Sequence, residues 1–378
     1  MQSSDTTYRV LMAAGGTGGH VYPAISIADA IRQAQPSAEV HFAGTSSHME
    51  WTAVPKAGYP IHSIWISGFH RRFTLQNLLF PVKLLVSLIQ SWLIIRRIRP
   101  HVVISCGGYV SGPVGRVASI MGIPLMVQEQ NSFPGVTNRL LGEKATYIFT
   151  AFPEAASFFE SDKVREEGNP VRNDISRGDR EKTARKVGFD PSRKTLLVMG
   201  GSGGAANLNQ AMLTNLDELH NELELQIIWQ CGRRYLSEMR QKVAEHKFPN
   251  LYMTDFLEDM PGVYALSDLV VCRSGAGTIA ELLVCGKPSI LVPSPVVAGD
   301  HQRKNAASVV GRGAAVMIED NELADRIVEV VDELLSESGR LTAMQDAALA
   351  LARPDAARTI ASTIIRETHP NEILPSHE

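Results

Sequence analysis

The residues of this chain best suited to chemistry sit in and beside glycine-rich turns. The first turn is Ala13-Ala14-Gly15-Gly16-Thr17-Gly18-Gly19-His20-Val21-Tyr22-Pro23. Glycines at the carboxyl end of a strand let backbone N–H groups approach an anion, and a helix start just after them adds partial positive charge. His20 stands beside this turn, and an imidazole titrates in the range a general base needs. Taken alone the cluster reads equally well as a tight strand-to-helix turn without a ligand. Its repetition further along the chain favours the anion.

A second such turn, Ser105-Cys106-Gly107-Gly108-Tyr109-Val110-Ser111-Gly112-Pro113, follows the apolar run Val102 to Ile104. Two glycine turns on the same edge of an open α/β sheet outline one anion site. Gln128-Glu129-Gln130-Asn131 ends the next apolar run, where polar residues read as ligand contacts, and Glu129 is a second candidate base. A third turn, Gly200-Gly201-Ser202-Gly203-Gly204-Ala205-Ala206, opens a helix. Its GxGxxA spacing raises a nicotinamide site, but the following strand ends in Cys231-Gly232-Arg233 and offers no acid for a ribose. Arg273-Ser274-Gly275-Ala276-Gly277-Thr278 then starts another helix, where a diphosphate would meet backbone N–H groups and the Ser274 and Thr278 hydroxyls. Glu281 either accepts hydrogen bonds from sugar or ribose hydroxyls or serves as an ordinary first-turn acid. A last polar loop carries Asp300, His301, Gln302 and Asn305.

The elements that hold these turns alternate. Strand-like runs at Tyr8 to Ala14, Glu39 to Ala43, His101 to Ser105 and Pro124 to Gln128 are interleaved with helical stretches such as Ala24 to Gln33, the pattern of βαβ units and a parallel sheet. Gly168-Asn169-Pro170-Val171-Arg172 punctuates like a hinge, and the charged stretch Arg177 to Lys186 follows it. The pattern then repeats through Thr195 to Met199, Leu225 to Gln230, Leu269 to Cys272 and Ile290 to Val292. Two facing Rossmann-like α/β domains are the economical reading, with boundaries at 1–168 and 169–353. Helices are expected over Asn321 to Glu337, with Asn321 as N-cap, and over Arg340 to Arg353. A terminal helix over 354–368 is expected to pack back on the first domain, ahead of a flexible tail at 369–378.

Composition narrows the class. The chain has 378 residues, 44% of them hydrophobic, and a formal net charge of −3, which fits a two-domain globular protein with no nucleic-acid partner. Cys106, Cys231, Cys272 and Cys285 are too scattered for a zinc knuckle or a CxxC pair, so no disulfide is expected and a reducing interior suits them. The start of the chain lacks the pattern of a secretory signal, so the protein is expected to stay inside the cell. Charge is uneven along the sequence. From Trp51 to Gln128 there is no Asp or Glu, while Lys56, Arg71, Arg72, Lys83, Arg96, Arg97, Arg99 and Arg116 fall there. Within that span Phe69 to Ile98 mixes apolar Phe73, Leu75, Leu78, Leu79, Phe80 and Trp92 with arginines. It is too short on uncharged residues to cross a bilayer. It reads either as a helix lying on an anionic membrane surface or as a core helix whose basic last turn complements its dipole.

The ordered set Gly15-Gly16-Thr17-Gly18-Gly19-His20, Gly107-Gly108-Tyr109-x-Ser111-Gly112-Pro113, Glu129-Gln130-Asn131, Gly168-Asn169-Pro170-Val171-Arg172, Gly200-Gly201-Ser202-x-Gly204-Ala205 and Arg273-Ser274-Gly275-Ala276-x-Thr278-x-x-Glu281 closely resembles the MurG family of bacterial peptidoglycan N-acetylglucosaminyltransferases. The resemblance spans about residues 8 to 367. It implies a GT-B fold with an interdomain cleft, the acceptor held mainly by the first domain and UDP-N-acetylglucosamine by the second. It implies transfer of N-acetylglucosamine, with inversion, to the muramyl 4-hydroxyl of lipid I, giving lipid II. Donor contacts carried over by motif are Thr17, Gly18, Gly19, Asn131, Arg172, Ser202, Leu257, Gly277, Thr278, Glu281 and Gln302. The lipid-linked pyrophosphate falls to Gly16, His20, Gly108, Tyr109, Ser111 and Gly112. His20 is the first candidate base and Glu129 the second. No Asp-x-Asp pair occurs to hold a metal, and neither metal nor cofactor is expected, so helix N-termini near Ser202 and Ser274, with Arg172, would stabilise departing UDP. The family also implies a peripheral enzyme on the cytoplasmic face of the inner membrane, working beside other cell-wall synthesis and division proteins. The chain departs from relatives at Gln128, Gly203 and Gly277. Two rivals stand: another GT-B transferase with a different lipid or small acceptor, and a non-catalytic nucleotide-sugar-binding protein.

Overall fold

Apolar runs that alternate with helices fold into parallel strands whose carboxyl ends carry the glycine turns. The structure, a computed structural model, describes residues 7–68, 79–201, 203–244 and 247–369. The chain divides into two compact units, one running through Val171 and resuming at Pro354, the other Arg172–Arg353. The first unit is built on seven parallel strands: β1 (Arg9–Ala13), β2 (Glu39–Gly44), β3 (Ile61–Ser63), β4 (Val102–Ser105), β5 (Leu125–Glu129), β6 (Tyr147–Thr150) and β7 (Val164–Arg165). Their spatial order is β3-β2-β1-β4-β5-β6-β7. The order reverses between β1 and β4, which pair from Val10↔Val102 to Ala13↔Ser105. This switch point sets the first two glycine turns side by side, where open α/β sheets collect ligands.

Both faces of this sheet are covered, so the strands read as continuous apolar runs. Val10, Met12, Phe42 and Ile104 pack under Val21, Ile27 and Ile31 of the helix Gly18–Ala34, joined by Ile360 and Ile364 of the terminal helix Ala356–Thr368. On the other face Leu11, Ala13, Val103 and Val127 meet Ile95 and Ile98 of the helix Phe80–Ile98 and Val114 and Val117 of the helix Ser111–Ile120. The first helix begins earlier than the expected Ala24: it starts at Gly18, with Thr17 as N-cap, and Pro23 lies inside it. Gly18 and Gly19, the second half of the glycine cluster, therefore open the first helical turn, and His20 projects from it. A proline so near a helix start forfeits only its bond to the Gly19 carbonyl.

The second unit repeats the plan with β8 (Thr195–Met199), β9 (Gln226–Gln230), β10 (Leu251–Thr254), β11 (Leu269–Cys272), β12 (Ser289–Leu291) and β13 (Ala315–Met317), in the order β10-β9-β8-β11-β12-β13. Its core gathers Val198, Trp229, Val271 and Ile290 with Ile327 and Val331 of the helix Leu323–Ser336. That helix starts two residues after Asn321, and Glu322 occupies the cap position instead. The strands β3, β6, β7, β10 and β13, two to four residues each, are not among those the sequence marks.

Candidate functional site

In the first unit the two glycine turns interlock. Gly107 and Gly108 have φ of +97° and +83°, conformations that glycine adopts without strain. A Cβ on Gly108 would stand 2.2 Å from the Gly15 carbonyl oxygen, and one on Gly107 would stand 2.7 Å from the His20 ring. Glycine is required here by close approach as well as by backbone conformation. The Ser111 hydroxyl, fully buried, lies 2.8 Å from both the Ala13 and Gly107 carbonyls, which share its one proton, and accepts from the Gly107 N–H at 3.0 Å. Ser111 thus fastens one turn to the other from beneath instead of facing outward as a ligand contact would. Gly16, Thr17 and Gly19 are exposed, Gly18, Gly108 and Gly112 are half-buried, and Tyr109 lies in the open with its ring against Gly68.

His20 Nδ1 lies 3.1 Å from the Gly15 carbonyl oxygen and 3.3 Å from Thr17 Oγ1. A carbonyl can only accept, so this contact assigns the proton to Nδ1 and leaves the lone pair of the neutral ring on Nε2. That is the tautomer a general base uses, oriented by the turn itself.

One residue that the sequence did not mark holds this turn in place. Glu50, the first residue of the helix Glu50–Lys56, is completely buried. Its carboxylate accepts from the Gly16 N–H at 3.1 Å, the Thr45 N–H at 3.0 Å and the Thr45 hydroxyl at 2.6 Å. Burial pushes the carboxyl up, but these donors outweigh it and hold it below its ordinary value. No motif announces Glu50, which reads in sequence as a plain first-turn acid; the missing signal was tertiary.

Glu129 occupies the end of β5 and is 1% exposed. Its two oxygens accept from the Asn131 N–H at 2.9 Å, the Gly135 N–H at 3.1 Å and the Asn138 amide at 2.9 Å. Burial raises its pKa, partly opposed by those donors. With both oxygens engaged inside the fold, this carboxylate orders the chain from Asn131 to Asn138, a geometry of support instead of proton abstraction. Gln128, also buried, donates to Asn169 Oδ1 at 3.2 Å, and Gln130 donates to the Cys106 carbonyl at 2.7 Å, tying β5 to the second turn.

The second unit carries a matching pair of turns after β8 and β11, which are neighbours in its sheet. Gln230, at the end of β9, braces the first of them: its Oε1 accepts from the Gly200 N–H at 3.1 Å while its Nε2 donates to the Gly201 carbonyl at 3.0 Å. A Cβ on Gly204 would meet the Cys231 carbonyl oxygen at 2.2 Å. Ser202, expected here as a donor contact, lies outside the described residues. After β11, the Arg273 guanidinium pairs with Asp320 and reaches the Val292 carbonyl, so it supports the turn from within. Ser274 is fully buried, and its hydroxyl has no hydrogen-bond partner among the described residues. The helix Ala276–Val284 follows, with half-buried Gly277 opening to space in which a Cβ would touch nothing within 4 Å. Thr278 and Glu281 lie on the same helix. Glu281 accepts from the buried Tyr264 hydroxyl at 3.0 Å; burial raises its pKa, with Tyr264 and Arg172 pulling the other way. Arg172 is exposed, Leu257 is 8% exposed, and Gln302 accepts from the Ser294 N–H at 2.9 Å. Gly277 and Thr278 thus lie in the first turn of this helix, and Glu281 lies in its second, so it is not the first-turn acid the sequence allowed, with Arg172 acting on its charge.

Of the residues expected to face a membrane, Phe73, Leu75 and Leu78 lie outside the described residues, Leu79 and Trp92 are exposed, and Phe80 is half-buried. The helix Phe80–Ile98 buries Ser87, Ser91, Ile95 and Ile98. Both serines return their hydroxyls to the helix backbone, which keeps that face narrow where the helix Ser111–Ile120 packs on it. The opposite side exposes Val82, Leu85, Ile89 and Leu93, each at least half open to solvent. Their spacing of three and four residues makes one apolar stripe. No helix among the described residues is long and apolar enough to cross a membrane.

Two family models match the chain: the glycosyltransferase family 28 N-terminal domain over residues 10–150 and its C-terminal domain over residues 195–360. The UDP-N-acetylglucosamine--N-acetylmuramyl-(pentapeptide) pyrophosphoryl-undecaprenol N-acetylglucosamine transferase of Bacteroides fragilis is 41% identical over 361 residues, covering 95% of each chain. The protein of the same description from Salinibacter ruber is 43% identical over 356 residues, 94% of this chain and 96% of that one. Among solved structures, MurG of Acinetobacter baumannii matches with a TM-score of 0.75 at 28% identity, covering 95% of this chain and 99% of that one.

Proposed function

The chain belongs to glycosyltransferase family 28, in the branch of the lipid-linked N-acetylglucosaminyltransferases, and from that membership we infer its reaction and the duties of its residues. Its two parallel-sheet units are those of the GT-B architecture. It transfers N-acetylglucosamine from UDP-N-acetylglucosamine to the muramyl sugar of undecaprenyl-pyrophosphoryl-MurNAc-pentapeptide, lipid I, giving lipid II. The observation that carries this is identity above 40% along nearly the whole length of relatives with that activity.

The finer assignments are ours. The first unit takes the acceptor: the turn at Gly16 to Gly19, whose Gly16 N–H is itself held by Glu50, and the turn at Gly108 to Gly112 meet its pyrophosphate, with Ser111 as the internal fastener. His20 Nε2 removes the proton from the 4-hydroxyl as that oxygen attacks the anomeric carbon, and inversion follows from a single displacement. Glu129 positions Asn131. The second unit takes the donor: Glu281 accepts from ribose hydroxyls, and Gly277, Thr278, Ser274 and Arg172 stabilise the diphosphate as UDP leaves, with Ser202, Leu257 and Gln302 completing its contacts. Thr17, Gly18, Gly19 and Asn131 face the transferred sugar. The enzyme works at the cytoplasmic face of the membrane that carries its acceptor, seated through the helix Phe80–Ile98.

Transfer of labelled N-acetylglucosamine to lipid I in detergent tests the reaction. Product with lipid I and none with unrelated lipid or small acceptors is the expected result, whereas UDP-sugar binding without turnover overturns it. For the membrane seat, replacing Leu85, Ile89 and Leu93 by serine lowers association with liposomes by about two orders of magnitude, since each apolar side chain withdrawn from water contributes on the order of 1 kcal/mol or more. Because these side chains are exposed, the thermal transition stays in place. Undiminished association returns the stripe to a role within the protein.

A further inference from the structure

The other edge of the first unit's sheet, where the strands begin, carries a second concentration of charge. Arg9 opens β1, Glu39 opens β2, and the helix Phe80–Ile98 ends above them. Between these elements lies a basin of about 650 Å³ whose polar lining includes Arg9, Arg97, Arg99, His41, His62 and Glu39. Arg96 adds a fourth guanidinium at its rim, stacked 4.7 Å from the Trp92 ring centroid. Among the described residues, none of these four arginines has a carboxylate within ion-pair distance. Arg9 Nε donates to the Arg99 carbonyl at 3.2 Å, and Arg99 caps the helix in a left-handed conformation with φ 53°, so the chain turns there to bring both side chains to one place. His41 Nδ1 and His62 Nε2 are 3.2 Å apart within the same lining.

A helix carboxyl end accounts for Arg96 and Arg97, which complement its dipole. It does not account for Arg9, which arrives from a different element, or for the paired imidazoles. Four guanidiniums share this basin with one carboxylate, an excess of positive charge that favours an anion, and forked guanidinium donors suit the tetrahedral oxygens of phosphate.

We propose that this basin binds a phosphate-bearing anion, supplied either by an anionic phospholipid headgroup or by free phosphate in solution, at a place distinct from the glycine turns at the opposite edge of the sheet. Burial, with Arg9 beside His41 and with His41 and Arg97 beside His62, holds both imidazoles below their ordinary pKa, while Glu39 opposes this at His41. A bound anion reverses that balance, so binding takes up protons and tightens as pH falls through the imidazole range.

The test uses the full chain and the double variant Arg9→Gln/Arg97→Gln. Inorganic phosphate is titrated by calorimetry and by the imidazole NMR signals of His41 and His62, and co-sedimentation compares vesicles of phosphatidylglycerol with vesicles of phosphatidylcholine. Free phosphate that shifts both imidazoles, binds more tightly at lower pH and loses roughly tenfold or more in affinity in the variant supports the site with a soluble ligand. Phosphate without effect, but a preference for phosphatidylglycerol that falls by a similar factor in the variant, supports it with a lipid source. Wild-type imidazole signals that neither phosphate nor phosphatidylglycerol moves overturn the proposal whether or not the variant folds. So does a folded variant that binds both as the wild type does. Transfer to lipid I in detergent stays unchanged in the variant, which separates loss of this site from loss of the reaction.

Discussion

Replacing His20 by alanine lowers the rate of N-acetylglucosamine transfer by roughly 10²- to 10⁴-fold, the range for losing a positioned general base. The argument rests on the ring's tautomer. The Gly15 carbonyl accepts from Nδ1–H, with Thr17 Oγ1 close by, which leaves the lone pair of the neutral ring on Nε2. The effect falls on turnover, and donor affinity is retained, because the diphosphate and ribose contacts assigned to UDP lie in the other unit. Wild-type kcat/KM also declines in acid, where a base must be deprotonated to act, and the alanine variant loses that limb. A variant with wild-type turnover, or one that keeps the acidic limb, removes His20 from the role of base. Glutamine at position 20 restores a side chain of similar reach but no base, and its turnover stays low.

The second large effect is expected at Glu50. Glu50→Ala leaves the Gly16 N–H, the Thr45 N–H and the Thr45 hydroxyl without their acceptor in a buried place, a loss of about 3 kcal/mol for groups bonded to a carboxylate. For units of this size that corresponds to a fall in the melting temperature of roughly 6–12 °C. Turnover falls as well, because the freed N–H belongs to the turn that orients His20. The sign of the pH dependence follows from the direction of the shift. A carboxyl held below its ordinary value stabilises the fold fully above the unfolded pKa, about 4.5, and loses that contribution as pH falls through the lower folded value. The stability gap between wild type and variant is therefore constant near neutrality and closes in acid. Equal melting temperatures at pH 7, or a gap that widens in acid, contradict this account.

Sequence made some of these parts visible and hid others for identifiable reasons. Gly107, Gly108 and Gly204 were legible because left-handed backbone and close approach demand glycine, and they stand in clusters that strand ends precede. The central strands were legible as strands because each is buried on two faces and so is continuously apolar. Glu50 was not, because its importance comes from Thr45 and Gly16 folding around it, and one acid at a helix start has no signature. Gln230 was read as the end of a strand, yet its side chain braces the third turn through bonds that no spacing implies. Ser111 and Glu129 were visible as polar residues at strand ends, which is where ligands gather. Polarity in sequence does not tell whether a side chain faces the ligand or the backbone that shapes the ligand's seat, and in the structure both face inward. The helix Phe80–Ile98 was ambiguous between core and surface because it is both, with serines buried on one side and large apolar residues exposed on the other.

The fastening of the first two turns has a consequence for selectivity. The Ala13 carbonyl accepts from the Cys106 N–H at 2.9 Å and from the Ser111 hydroxyl, Gly108 rests against Gly15, and Glu50 holds Gly16 from the far side. The entropy of ordering these turns is lost when the unit folds, before any acceptor arrives. On the assignment proposed above, a diphosphate seated there meets a set of donors already in place. Such a backbone frame does not adjust itself to whatever hangs from either phosphate, whatever is touched by the side chains borne on it, His20 and Tyr109 among them. Discrimination among acceptors then has to be exercised by more compliant surfaces, and variants altered for a new acceptor can leave this pair of turns untouched.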